Sequence, residues 1–117
     1  MKIKYILRNK HTNQLHVKIY ELESIEHGGL KDLFDVDNYE IVARLRFAGF
    51  TIKGNDELYE NDLIENDGEM FRIEFLDGSW ECINIVNGEN IALSELASSR
   101  DTCLQGNIYQ HPELINK

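Results

Sequence analysis

The sequence predicts a mainly β protein: a twisted antiparallel sheet or small barrel with one or two short helices. Three observations point there. Apolar and polar residues alternate with a period of two in several separate segments, the signature of half-buried strands. The pairs Asp77-Gly78 and Asn87-Gly88 lie between apolar runs, and both suit the positive φ angles of tight hairpin turns. A single proline and eight glycines in 117 residues argue against linkers or disorder.

The first elements form a hairpin. Ile3, Tyr5 and Leu7 alternate with polar positions over residues 2–8, and Leu15, Val17 and Ile19 do so over 14–20. The polar run Asn9–Asn13 between them reads as a turn. Leu30, Leu33 and Phe34 are spaced i, i+3, i+4 after Gly28-Gly29, which suggests a short amphipathic helix over 29–34. Residues 35–38, DVDN, read as a turn. Tyr39, Ile41, Ala43, Leu45 and Phe47 then alternate with Glu40, Val42, Arg44 and Arg46, a strand expected to end at Gly49.

The C-terminal half carries the stronger pattern. A two-residue loop at Asp77-Gly78 sets Phe75 opposite Trp80, Ile73 opposite Cys82 and Phe71 opposite Asn84. Phe71, Ile73, Phe75, Trp80 and Cys82 then share one face, expected to be the core. A similar loop at Asn87-Gly88 places Ile91 opposite Asn84 and Leu93 opposite Cys82. Residues 94–101 suit a short helix or loop, and Gly106–Gln110 a last strand. Pro112 can open a helix near 112–116, because the first helical N–H needs no partner. Leu114 and Ile115 would then dock on the sheet. The length suits one domain over 1–117, with an N-terminal hairpin and short helix over 1–38 and a β core over 39–117.

Charge narrows the function classes. With 21 acidic against 12 Lys and Arg side chains, the formal net charge is −9. That argues against direct nucleic-acid binding, which needs clustered cations on phosphates, and against an anionic membrane surface. No apolar run is long enough to span a bilayer. The two cysteines, Cys82 and Cys103, lie among apolar neighbours and read as free thiols of a reducing cytoplasm.

Three segments, in order, resemble the YopX family of small phage and prophage proteins. The first is AGFTIKGNDELYENDLI, 48–64, through Gly49, Phe50, Glu57, Leu58, Tyr59, Glu60, Asp62, Leu63 and Ile64. The second is the aromatic hairpin FRIEFLDGSW, 71–80. The third is GNIYQHPELI, 106–115. Ala48 and IKGND, 52–56, depart from the family pattern. The resemblance covers about residues 40–115. It implies a mainly β fold and a phage or prophage protein in a bacterial cytoplasm, with no enzymatic activity to carry over. Its motif residues suit structural roles: Tyr59 as a strand aromatic, Asp62 as a turn or cap acceptor, Pro112 as a helix start.

Candidate chemistry is sparse. His11, His16, His27 and His111 are scattered, with no paired spacing for a metal, and DVDN lacks the later ligands of a calcium loop. Neither metal nor cofactor is expected. Ser94, Ser98 and Ser99 lie near Arg100 and Asp101 but far from any histidine in sequence, and Cys82 is expected to face the core. No catalytic residue is assigned, and the chain is expected not to be an enzyme.

Two charge patterns are candidates for binding. Residues 54–71 hold no Lys or Arg, and they carry Asp56, Glu57, Glu60, Asp62, Glu65, Asp67 and Glu69. Such a run is most often a solvated face; its functional alternative is a docking strip for a basic host protein. Arg44, Arg46 and Arg72 form the opposite pattern. On neighbouring strands they would gather into an anion-binding site; otherwise they pair with Glu40, Glu74 and Glu81. Glu74 and Glu81 face each other across the hairpin and need a cation between them. The leading expectation is a phage accessory protein that binds a host protein. The alternatives are an oligomeric binder of a small anionic ligand and a small carboxylate-based hydrolase. Exposed strand edges favour a homo-oligomer.

Overall fold

Residues 2–21 and 35–115 are described by a computed structural model. Among them the protein is β-rich, with one short α-helix. The chain forms two compact units, Met1–Phe47 and Ala48–Lys117. The division falls inside a strand.

In the first unit, β1 (Lys2–Asn9) pairs with β2 (Leu15–Glu21) and with β3 (Tyr39–Ile52), both antiparallel. The expected hairpin is present. Its connection turns at Asn13, φ 63°, with the Asn9 Oδ1 accepting from the N–H groups of His11 and Thr12 at 2.8 and 3.1 Å. The register separates the two apolar rows. Ile3 pairs with Tyr20, Tyr5 with Lys18 and Leu7 with His16. Odd positions of β1 thus face even positions of β2, so the two apolar rows lie on opposite sides of the sheet. Tyr20 and Tyr39 pack on Ile3, Tyr5 and Leu7, while Val17 and Ile19 are exposed, at 37% and 48%.

A β-bulge corrects the reading of β3. Ile6 pairs with Ala43 and Leu7 with Ile41, leaving Val42 as the extra residue. The bulge flips the alternation: Tyr39 and Ile41 share the Leu7 face, and Ala43 and Leu45 the Ile6 face. The DVDN turn forms as expected. Asp35 accepts from the N–H of Asp37 and the amide of Asn38, and that amide holds its carboxyl below the usual carboxylate range. The helix expected over 29–34 lies outside the described residues.

β3 does not end at Gly49. It passes through that residue at φ 83° and continues to Ile52, since a glycine can bend a strand without stopping it. Its last residues belong to the second unit. There a 3₁₀ turn (Lys53–Asn55) leads to β4 (Asp56–Tyr59). The second sheet has the order β8-β7-β6-β5-β9. Its strands are β5 (Asp62–Asn66), β6 (Glu69–Leu76), β7 (Ser79–Asn84), β8 (Asn90–Ala92) and β9 (Cys103–Asn107). A short helix, α1 (Leu93–Ala97), connects β8 towards β9.

The β6–β7 hairpin has the predicted register: Phe71 pairs with Asn84, Ile73 with Cys82, Phe75 with Trp80. Asp77 and Gly78 take φ angles of 49° and 84°, as a type I′ turn requires. Phe71, Ile73 and Cys82 are buried in a cluster with Ile52, Leu58, Ile64, Leu93 and Leu96, and Trp80 packs against it. Phe75 departs from the expected core. Next to the turn it runs past the cluster, is 36% exposed, and meets Trp80 edge-on at 5.1 Å.

The second hairpin differs in length. Ile91 pairs with Cys82, not Asn84, across a longer loop over 85–89. The Asn84 side chain causes this. Its Oδ1 accepts from the N–H groups of Val86 and Asn87 at 2.9 and 3.3 Å, and its backbone N–H reaches Glu89 O at 2.8 Å. The slip is by two residues, so Ile91 keeps its side of the sheet.

Candidate functional site

The motif residues of the two outer segments meet in space. Asp62 is 1% exposed, and its Oδ2 accepts the Tyr59 N–H at 2.8 Å, closing the turn between β4 and β5. Asn61, at φ 65°, donates its side-chain amide to the Tyr109 hydroxyl at 3.0 Å and its carbonyl accepts from Ile108 N–H at 3.2 Å. Asp62 pairs with Asn107 across β5 and β9. The expected strand over 106–110 therefore lies three residues earlier in its end point, at Asn107. Asn107 stops it: its Oδ1 accepts from the N–H groups of Tyr109 and Gln110 at 3.0 and 2.8 Å.

The His111 ring makes a glycine necessary at position 106. Gly106 has a φ of 154°, and a Cβ there would lie 2.3 Å from Nδ1 of His111, whose ring rests against the backbone. That Nδ1 accepts the Asn107 N–H at 3.3 Å. Pro112 opens one 3₁₀ turn, Pro112–Leu114, in place of a longer helix. These motif residues hold the fold together.

The acidic run is divided by this arrangement. Asp62 is withdrawn into the turn. Asp56 is exposed and Glu57 and Glu60 are half-buried on β4 and the turn after it. Glu65, Asp67 and Glu69 lie on a further hairpin that was not among the expected elements, Glu65 on the Met70 face and Glu69 on the Asn66 face. Asp67 and Gly68, at φ 50° and 78°, form its turn, and Asn66 pairs with Glu69. The Asp-Gly pair is the signal that marks it.

Beside that hairpin is a cavity of about 550 Å³. Glu65 and Met70 line it from the sheet, Ile85 and Val86 from the long loop, and Leu114 and Ile115 from the end of the 3₁₀ turn and the residue after it. The docking expected of Leu114 and Ile115 takes the form of two half-buried walls. Glu69 also lines the cavity, where the Asn84 amide donates to its Oε2 at 3.2 Å. The space combines apolar walls with two carboxylates. Val86 is 90% exposed.

The three arginines do not lie on neighbouring strands: β3 and β6 belong to different sheets. Arg44 shares the Tyr5 face of the first sheet, its guanidinium 5.9 Å from the ring centroid, and Arg46 pairs with Ile3. Arg72, on the second sheet, shares a face with the paired Glu74 and Glu81. Its Nη2 donates to Glu74 Oε1 at 3.0 Å, and Glu74 pairs with Glu81 as the hairpin register demands. Arg8, in turn, bonds Glu40 at 3.1 Å.

Cys82 and Cys103 are both free. Burial, with Glu81 beside it, pushes the Cys82 thiol up to about 12, so it carries no thiolate near neutral pH. Ser98 and Ser99 bond to the Glu95 carbonyl and the Asn66 amide. Among the described residues no cluster of His, Cys, Asp or Glu could hold a metal ion. No helix among them is long and apolar enough to cross a membrane. A scan of the sequence against protein-family models and a search of curated proteins both find no match.

Proposed function

We propose that this protein acts by binding a basic protein partner through the carboxylates of its second unit. The YopX resemblance supplies the setting: a phage or prophage accessory protein acting on a host protein in the bacterial cytoplasm. The observation that carries the reading is the fate of the acidic run. Only Asp62 is withdrawn from the surface, and Glu65, Asp67 and Glu69 are gathered on one hairpin. Clustered carboxylates of this kind steer a cationic partner and fix its register more than they add affinity. A hydrolase has less support, since no nucleophile with an adjacent base is brought together among the described residues, and the arginines, on strands of different sheets, support an anion site less than a docking strip. Self-association along exposed sheet edges belongs to the same proposal.

The test is affinity capture from bacterial lysate at low and high salt, with light scattering for the oligomeric state. A variant with Asp56 and Asp67 changed to Asn, and Glu57, Glu60, Glu65 and Glu69 to Gln, is run beside the parent. A basic partner should be retained by the parent at low salt and lost at high salt, and not retained by the variant. Equal capture by parent and variant would refute the acidic-face reading.

A further inference from the structure

We infer that the cavity beside the Asp67-Gly68 turn is a docking groove for a short extended segment of a partner in which lysine or arginine alternates with large apolar residues. The inference rests on the acidic-face reading and names the part of the face that selects the partner.

The case is one of chemical matching. Register places Glu65 opposite Met70, so a carboxylate and a thioether side chain stand side by side on one face of the β5–β6 hairpin. Ile85 continues that surface, with its N–H on the Met70 carbonyl at 3.1 Å. Leu114 and Ile115 form the facing wall, and Val86 stands at the mouth. A lysine side chain matches both components at once. Its methylene stem lies along apolar walls while its ammonium stays at the wet, carboxylate-bearing side. Glu69, paired with Asn66 and bonded by the Asn84 amide, borders the cavity from the other face of the hairpin. A purely apolar occupant would desolvate the Glu65 carboxylate with no counter-charge. A purely cationic one would leave Met70, Ile85, Leu114 and Ile115 uncovered. A volume of about 550 Å³ holds two or three side chains, not a folded domain's surface.

Fluorescence anisotropy with labelled eight-residue peptides tests this. The probe alternates leucine and lysine. One control alternates glycine and lysine, keeping charge alone; the other alternates leucine and glutamate, keeping apolar content alone. The leucine–lysine peptide should bind about ten-fold or more tightly than the glycine–lysine peptide, the effect of burying a single large apolar side chain. The leucine–glutamate peptide should not bind. Val86→Ser and Leu114→Ser should each remove most of that advantage. Because Val86 is 90% exposed, its substitution leaves the core intact. Glu65→Gln with Glu69→Gln should weaken both lysine peptides. Equal binding of the two lysine peptides, or parent-like binding by both serine variants, overturns the groove while the acidic face stands. Equal binding of the leucine–glutamate peptide overturns it as well. If neither lysine peptide binds, both readings fall.

Discussion

Replacing Gly106 by alanine tests the joint between the closing motif and the β4–β5 turn. Two costs arise. The residue takes φ 154°, where an L side chain is strained by about 1–2 kcal/mol. The new methyl would also stand 2.3 Å from Nδ1 of His111, so the ring must leave and its bond from Asn107 N–H is lost, at about 1 kcal/mol. The sum is about 2–3 kcal/mol. Trp80 is the only tryptophan and lies in the second unit, so its fluorescence reports unfolding there. At a urea slope of about 2 kcal/mol per molar, the midpoint should fall by about 1–1.5 M. A double-mutant cycle separates the terms. On the parent background His111→Ala should cost about 1 kcal/mol, the one bond. On the Gly106→Ala background it should cost nothing or restore stability, because the bond is already gone and the clash is relieved. Strict additivity of the two substitutions, or a midpoint for Gly106→Ala within 0.2 M of the parent (about 0.4 kcal/mol), would refute the reasoning.

Other perturbations have equally defined outcomes. A thiol-specific reagent at pH 8 should modify half-buried Cys103 in the folded protein and reach Cys82 only after denaturant is added. The Cys82 thiol is raised from 9.0 to about 12, so its contribution is fully present below pH 9 and is lost as pH rises towards 12. By pH 10 the loss is about 1.4 kcal/mol; Cys82→Ala should lack that part of the alkaline decline in a urea series. Arg72→Ala removes the cation bonded to Glu74, which faces Glu81, and should cost about 1 kcal/mol, less in high salt. Glu81→Gln on that background should restore most of it. Asn84→Ala removes the acceptor for two turn N–H groups and should cost about 1–3 kcal/mol, read by the same fluorescence titration.

Local chemistry was legible where one residue pair decides geometry. Asp77-Gly78 determines both its turn and the register of Phe71–Phe75 against Trp80–Asn84. Asp62 as an acceptor and Pro112 as a helical start are of the same kind. Readings failed where a side chain or an extra residue altered parity. Val42 inverts half of β3, and the β1–β2 register, which was not read at all, puts the two apolar rows on opposite faces. Neither is visible in alternation alone, which looks the same in either register. Asn84 lengthens the loop after β7 through side-chain bonds that a turn dipeptide does not reveal. The groove was the least legible feature. Met70, Ile85 and Leu114 come from separate stretches of chain, and only long-range pairing brings them to one place. The carboxylates at its side were readable as a run; their division by the buried Asp62 was not.

The position of β9 has a consequence for how the molecule comes into being. β5 is flanked by β6, its immediate successor, and by β9, synthesised only after the whole β6–β8 meander and α1. Until Cys103–Asn107 has left the ribosome, one side of Leu63 and Ile64 has an open row of backbone donors and acceptors. A stalled or clipped chain lacking that last strand would offer this border to any neighbouring nascent chain, and intermolecular pairing would compete with completion of the sheet.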